Sequence, residues 1–170
     1  MDAKTRALYF QFFNEVGILS QLGRALMDQR LPDGFIVAHF SVLNHLIRRG
    51  DGVTPLDLAR AFQVPKTTMT HTLSGLSKAG LIVFSPNPLD GRSKCVWITE
   101  AGYRFRDEAI AALNPDIDQL ATSVSQDEIA ELVPKLTRIR EILDAARDRP
   151  APLERPPGAA AHRRPNAEEA

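Results

Sequence analysis

The sequence predicts a mainly α-helical fold with one β-hairpin near its middle, and three observations predict it. Apolar residues recur every three or four positions over Thr5–Gln29 and again from Ile129 through Leu132, Leu136 and Ile139 to Leu143, the period of one helix face. Two proline-led helix starts, Thr54-Pro55-Leu56-Asp57 and Val64-Pro65-Lys66, lie close together, the pattern of a helix-turn-helix. Directly after them, Leu81–Ser85 and Lys94–Ile98 are rich in strand-forming residues and enclose the turn-forming segment Pro86–Arg92.

The first helix carries Leu8, Phe12, Val16, Leu19, Leu22 and Leu26 on one stripe, widened by Tyr9, Phe10 and Phe13. That arc is broader than a small core absorbs, which predicts burial of part of it against another subunit. Leu31-Pro32-Asp33-Gly34 reads as a turn, and a second helix is expected from Phe35 to Arg49, stopped by Gly50-Asp51-Gly52. Thr54 supplies a cap, Pro55 fits the first helical position and Asp57 favours the positive helix end, so a short helix runs to Phe62. The next helix is expected to reach Ala79, with Gly80 at its C′ position. Thr99 caps a fifth helix that continues to Leu113 and is interrupted or restarted at Asn114-Pro115. Ser125-Gln126-Asp127-Glu128 fits a capping box for the last helix, whose regularity Pro134 threatens. From Arg149 onward, 5 of the 12 prolines fall in a segment with Leu153 as its only large hydrophobe, which predicts a disordered tail over 149–170.

A chain of 170 residues, 44% of them hydrophobic, supports one domain over 1–148. It lacks the run of roughly 18 apolar residues that a membrane span needs and begins without a secretory pattern, so it reads as cytoplasmic with no membrane partner. Cys95 is the sole cysteine, which rules out an intramolecular disulfide and suits a reducing compartment.

The formal net charge of zero conceals a division along the chain. Thr54–Arg106 has 7 Lys and Arg against 3 Asp and Glu, a net of +4, whereas Asp107–Asp148 has 4 against 10, a net of −6. An anionic partner therefore meets the middle of the chain. There an α-helix led by Lys66, Thr67, Thr68, Thr70 and His71 has an inward apolar face of Met69, Leu73 and Leu76. Such a helix fits the major groove of double-stranded DNA, lysine steering to phosphate and threonine reaching phosphates or thymine methyls. Threonine is a middling helix former, so four in six positions point to a use other than stability; the plainer alternative is an ordinary surface helix. The hairpin tip adds Arg92 for the minor groove, Lys94 for phosphate, and Asp90 to accept hydrogen bonds from the arginine or from hairpin amides. The plain alternative here is a solvated turn.

From Phe35 to Gly102 the sequence resembles the MarR family of winged-helix transcriptional regulators. The resemblance is carried by T-P-L-D-L-A-R-A-F-Q-V, by T-T-M-T-H-T-L-S-G-L-S-K-A-G-L-I and, most specifically, by the wing string D-G-R-S-K-C-V-W-I-T-E-A-G. It implies a winged helix-turn-helix of order α-α-α-α-β-wing-β-α-α, with a DNA-binding lobe at about 35–102 and a dimerisation lobe formed by helices at about 4–30 and 99–148. It further implies a homodimer, each protomer presenting one winged helix to half of a roughly palindromic operator, and a repressor that a small-molecule effector can release. By that resemblance Arg92 enters the minor groove, Asp90 buttresses it, and Thr68 and Thr70 contact DNA from the recognition helix. Two positions depart from the family pattern, since His71 and Phe84 stand where arginine is common.

Other chemistry finds little support. His39, Phe40, His45 and Tyr103 are candidates for lining an effector pocket, but single aromatic residues on helices are usually core, and no ligand residues are assigned. Cys95 beside Val96 suggests that one of the two faces the core. Four scattered histidines and one cysteine lack the spacing of a zinc site, and no phosphate loop or nucleophile elbow is present, so no cofactor and no enzymatic activity are expected. A winged helix used only for protein contacts is the alternative that keeps the fold.

Overall fold

The computed structural model describes residues 1–147. Its elements are α1 (Ala3–Arg30), α2 (Val37–Arg49), α3 (Pro55–Phe62), α4 (Lys66–Lys78), β1 (Ile82–Asn87), β2 (Asp90–Ile98), α5 (Glu100–Ala111), α6 (Asn114–Ala121) and α7 (Gln126–Arg147). They divide into two units, Met1–Leu120 and Ala121–Ala170. The tail expected to be disordered lies outside the described residues.

In the first unit one core joins α2, α3, α4 and the hairpin. Leu43, Leu46, Leu58, Leu73, Leu76, Ile82 and Val96 are each at most 1% exposed. Burying a leucine, isoleucine or valine completely contributes about 1.5–3 kcal/mol, so these side chains dominate the stability of the lobe. A smaller cluster of Met27, Leu31 and Ala109 packs with Phe35, Phe40 and Phe105 and fastens the end of α1 to α2 and α5. Arg30 reinforces that junction with two bonds of 2.8 Å, from Nε and Nη2, to the Asp116 carboxylate. Those bonds hold the Asp116 carboxyl below its ordinary range.

Most of α1 has no such neighbours. Of its 28 residues only Met27 is buried. Leu8, Tyr9, Phe10, Phe13, Leu19 and Leu22, the arc read from the sequence, are all exposed, Phe10 by 72% and Leu19 by 65%.

The helix starts follow the local chemistry. Asp57 donates its amide to the Thr54 hydroxyl at 3.2 Å and its carboxylate takes the Thr54 amide and hydroxyl in return. α2 begins at Val37 instead of Phe35 because the Phe35 amide is still bonded to the Pro32 carbonyl of the turn, whereas the Val37 amide finds Asp28 at 2.6 Å. At Asn114 the chain restarts as a separate helix, the amides of Asp116 and Ile117 both turning back to the Leu113 carbonyl.

The hairpin is longer and tighter than its composition suggests. β1 and β2 pair antiparallel from Ile82↔Ile98 to Pro86↔Lys94, then skip to Asn87↔Asp90, leaving Pro88 and Leu89 as the turn and Gly91–Ser93 as a bulge on β2. Asp90 and Arg92 thus belong to a strand and its bulge, not to a loose loop. Val53 forms an isolated bridge with Val96, with bonds of 2.9 Å from the Val96 amide to the Val53 carbonyl and 2.8 Å from the Gly52 amide to the Val96 carbonyl. Cys95 and Val96 are both buried, although neighbouring strand residues point to opposite faces of the sheet.

In the second unit, Ser125 and Glu128 form the expected capping box: the Ser125 amide reaches the Glu128 carboxylate at 2.9 Å and the Glu128 amide reaches the Ser125 hydroxyl at 3.3 Å. α7 runs through Pro134 as one helix. Ile129, Leu132, Leu136 and Leu143 on its apolar face are exposed. No helix among the described residues is long and apolar enough to cross a membrane.

Candidate nucleic-acid interface

α4 owes its two faces to its sequence. Met69, Thr72, Leu73 and Leu76 are buried, and the helix packs against α2, α3 and β1. Lys66, Thr67, Thr68, Thr70 and His71, all expected from the sequence, are exposed on the other side. Ser74, three residues after His71 and half-buried, continues this surface; a spacing of seven from Thr67 is the signal that sequence reading passed over. The four threonines do not share one purpose. Thr72 is buried and its hydroxyl donates to the Thr68 carbonyl at 3.1 Å, so it serves the core and not a ligand. Thr70 donates to the Lys66 carbonyl at 2.8 Å. Its proton is spent inside the helix, and it offers outward only lone pairs and a methyl group.

The N-cap of α4 is Pro65, which makes no side-chain capping bond. The first amides of the helix are therefore open to an anion, with Lys66 beside them. The preceding turn is made by Gln63 at φ 54°, left-handed although it is not glycine, and the Val64 amide closes it on the Ala59 carbonyl at 3.0 Å. That backbone costs about 1 kcal/mol relative to glycine.

At the wing, Asp90 Oδ1 accepts the Arg92 amide at 3.0 Å. Of the two partners expected for Asp90, it takes the backbone amide of the arginine. The Asn87 side chain accepts the Leu89 amide at 3.0 Å and donates to the Ser93 hydroxyl at 2.8 Å, and Ser93 donates to the Asp90 carbonyl at 3.1 Å. Asn87 and Ser93 were not singled out from the sequence; the asparagine before Pro88 was the available signal. Together these bonds hold the bulge that presents Arg92. Among the described residues no carboxylate pairs with Arg92, Lys94 or Lys66, and all three are exposed. They are cations left free for phosphate.

A threonine locks helix and wing together. The Thr99 hydroxyl accepts the Gly102 amide at 3.1 Å and donates to the Gly80 carbonyl at 2.8 Å, while its own amide bonds the Leu81 carbonyl at 3.1 Å. A Cβ at Gly102 would run into that same Leu81 carbonyl. The T-E-A-G string therefore needs threonine for two hydroxyl bonds and glycine for the close approach.

The matched family model is that of the MarR family, over residues 33–93, and it spans α2 through the wing. Solved structures extend the likeness over most of the chain. The apo form of MarR from E. coli is 26% identical, with a TM-score of 0.63, over 74% of this chain and 94% of that one. From α2 into the wing the chain is similar to the MarR family. A mutant of the E. coli MarR complexed with operator DNA is 25% identical, with a TM-score of 0.60, over 82% of this chain and 99% of that one. The transcriptional regulator BldR from Sulfolobus solfataricus shares the fold at 21% identity, with a TM-score of 0.67 over 83% of this chain and 99% of its own. The chain has the winged-helix architecture of these structures, and the two residues that stand where the resemblance expects arginine, His71 on α4 and Phe84 on β1, are both exposed.

The residues considered for an effector pocket have four different settings. His39 caps α2, its Nδ1 accepting the Ile36 amide at 3.2 Å; Phe40 joins the Met27 cluster; His45 lies 5.2 Å from the Phe62 ring; and Tyr103 is exposed.

Proposed function

We propose that this chain is a cytoplasmic transcriptional repressor that binds double-stranded DNA as a homodimer, α4 entering the major groove and the wing the minor groove at each half of a palindromic operator. The observation that carries the reading is the display, on one lobe, of an exposed helix face of Lys66, Thr67, Thr68, Thr70 and His71 together with a bulge that offers an unpaired Arg92. The narrow minor groove has the most negative potential on the duplex, and an arginine whose backbone is already tied to Asp90 has less main-chain freedom to lose on entering it. Lys94 adds phosphate attraction. The operator complex of the E. coli relative supports the same mode of use.

The homodimer is supported by the apolar arc of α1 and by the apolar face of α7, both exposed in the single chain. In this reading 1–148 is one functional domain, with the DNA-binding lobe at about 35–102 and the remaining helices building the dimer. Symmetry then requires the two recognition helices to sit about 34 Å apart, one turn of duplex. Occupying promoter sequence in this way represses transcription by exclusion.

Titrating salt against mixed-sequence duplex DNA tests the reading. Affinity is expected to fall steeply and linearly on logarithmic axes, because neutralised phosphates release counterions. Arg92→Ala is expected to weaken binding about 10- to 100-fold and to lower the salt slope by about 1. No binding even at low salt would favour a winged helix used for protein contacts.

A further inference from the structure

The His39 side chain links the start of α2 to α4. The His39 ring hangs from the start of α2, where Nδ1 accepts the Ile36 amide at 3.2 Å and the His39 amide donates to the Ile36 carbonyl at 2.9 Å. An accepting nitrogen carries no proton, so the ring is neutral with its proton on Nε2. That nitrogen lies against α4: a Cβ at Gly75 would stand 2.7 Å from it. Gly75 follows His71 by one helical turn, on the same stripe of α4. The Phe35 ring meets the imidazole edge-on at 5.6 Å and itself lies 4.5 Å from Phe105 of α5.

We propose that His39 is a positioning residue for the recognition helix: its neutral ring, tied to Ile36 and seated on Gly75, holds α4 in the DNA-reading position, and protonation unseats it. The inference rests on the DNA-binding reading above and adds a pH response to it. A proton on Nδ1 would face the Ile36 amide proton, removing the acceptor and placing positive charge at the positive end of α2. His71 acts on the ring from α4. Burial first, and then the nearby His71, hold the His39 imidazole below the ordinary histidine range of 6.5. The neutral ring therefore contributes fully above that value and loses its contribution as the pH falls below it.

Positive charge gained on a DNA-facing surface would add attraction to phosphate, whereas protonating His39 disturbs the seat of α4, so the sign of the pH effect tests the seat. The test uses a duplex enriched by the wild-type protein from a random-sequence pool at about pH 8, titrated by fluorescence anisotropy at fixed ionic strength down to about pH 5.5. Wild-type affinity is expected to fall about tenfold over that range. His39→Asn offers an amide oxygen to Ile36 without titrating but lacks the ring seated on Gly75; it is expected to bind about tenfold more weakly than wild type at the alkaline end and to lose the acid dependence. On the wild-type protein alone, the Ile36 amide resonance is expected to titrate together with the His39 ring, which tests the seat even if the variant fails to fold. An Ile36 resonance indifferent to His39, equal acid loss in both proteins, or wild-type affinity that rises with acid overturns the inference and leaves DNA binding standing. Failure to bind any duplex at about pH 8 and low salt overturns both.

Discussion

The winged lobe and α1 spend their apolar residues in opposite ways. Leu43, Leu58 and Leu76 in the lobe are fully enclosed by residues of the same chain, whereas Leu8, Phe10 and Leu19 of α1 are more than 60% exposed. A fold that seals one region to this degree and leaves the other open is complete as a reading head and incomplete as a molecule. The lobe's stability is a property of one chain, and the order of α1 is tied, in the homodimer proposed above, to a second copy.

Substitutions on the two sides test this contrast. Leu43→Ala leaves a cavity in a site with no access to solvent and is expected to cost about 4 kcal/mol, measured by chemical denaturation; a loss below about 1 kcal/mol would show a looser core than its burial suggests. Leu19→Lys enters a dimer twice and is expected to remove about 3 kcal/mol of association, at roughly 1.5 kcal/mol per leucine. Sedimentation should then find monomer with an intact lobe, and wild-type protein already monomeric at micromolar concentration would remove the reason for the exposed arc. Thr54→Ala deletes the hydroxyl that caps α3 and is expected to lower the melting stability by about 1 kcal/mol without changing self-association. The smallest effect has the opposite sign. Gln63→Gly relieves the left-handed backbone between α3 and α4 and is expected to stabilise the lobe by about 0.5–1 kcal/mol.

What the sequence disclosed was mostly local chemistry. Thr54 with Asp57, Ser125 with Glu128, and Thr99 with Gly102 each mark a helix start within four residues, and each start stands where these residues put it. The exposed side of α4 was legible for the same reason, because a helix of known start has a known period. Long-range pairing was not legible. Nothing near Val53 announces its bridge to Val96, and the bulge at Gly91–Ser93 arises from how β2 is paired with β1. The composition of Pro86–Arg92 signalled a turn but not that Asn87, Asp90 and Ser93 tie it down. Threonine count misled at Thr72, whose hydroxyl satisfies a carbonyl of its own helix. His39 belonged to a list of pocket candidates because its contact with Gly75 joins residues on two helices that no local pattern relates.

The three bonds of Thr99 couple parts that differ in task. Through them the end of α4, the root of β1 and the first turn of α5 share one small anchor. Any pivoting of α5 would then be handed straight to the junction between α4 and the hairpin, which hang from a single pin.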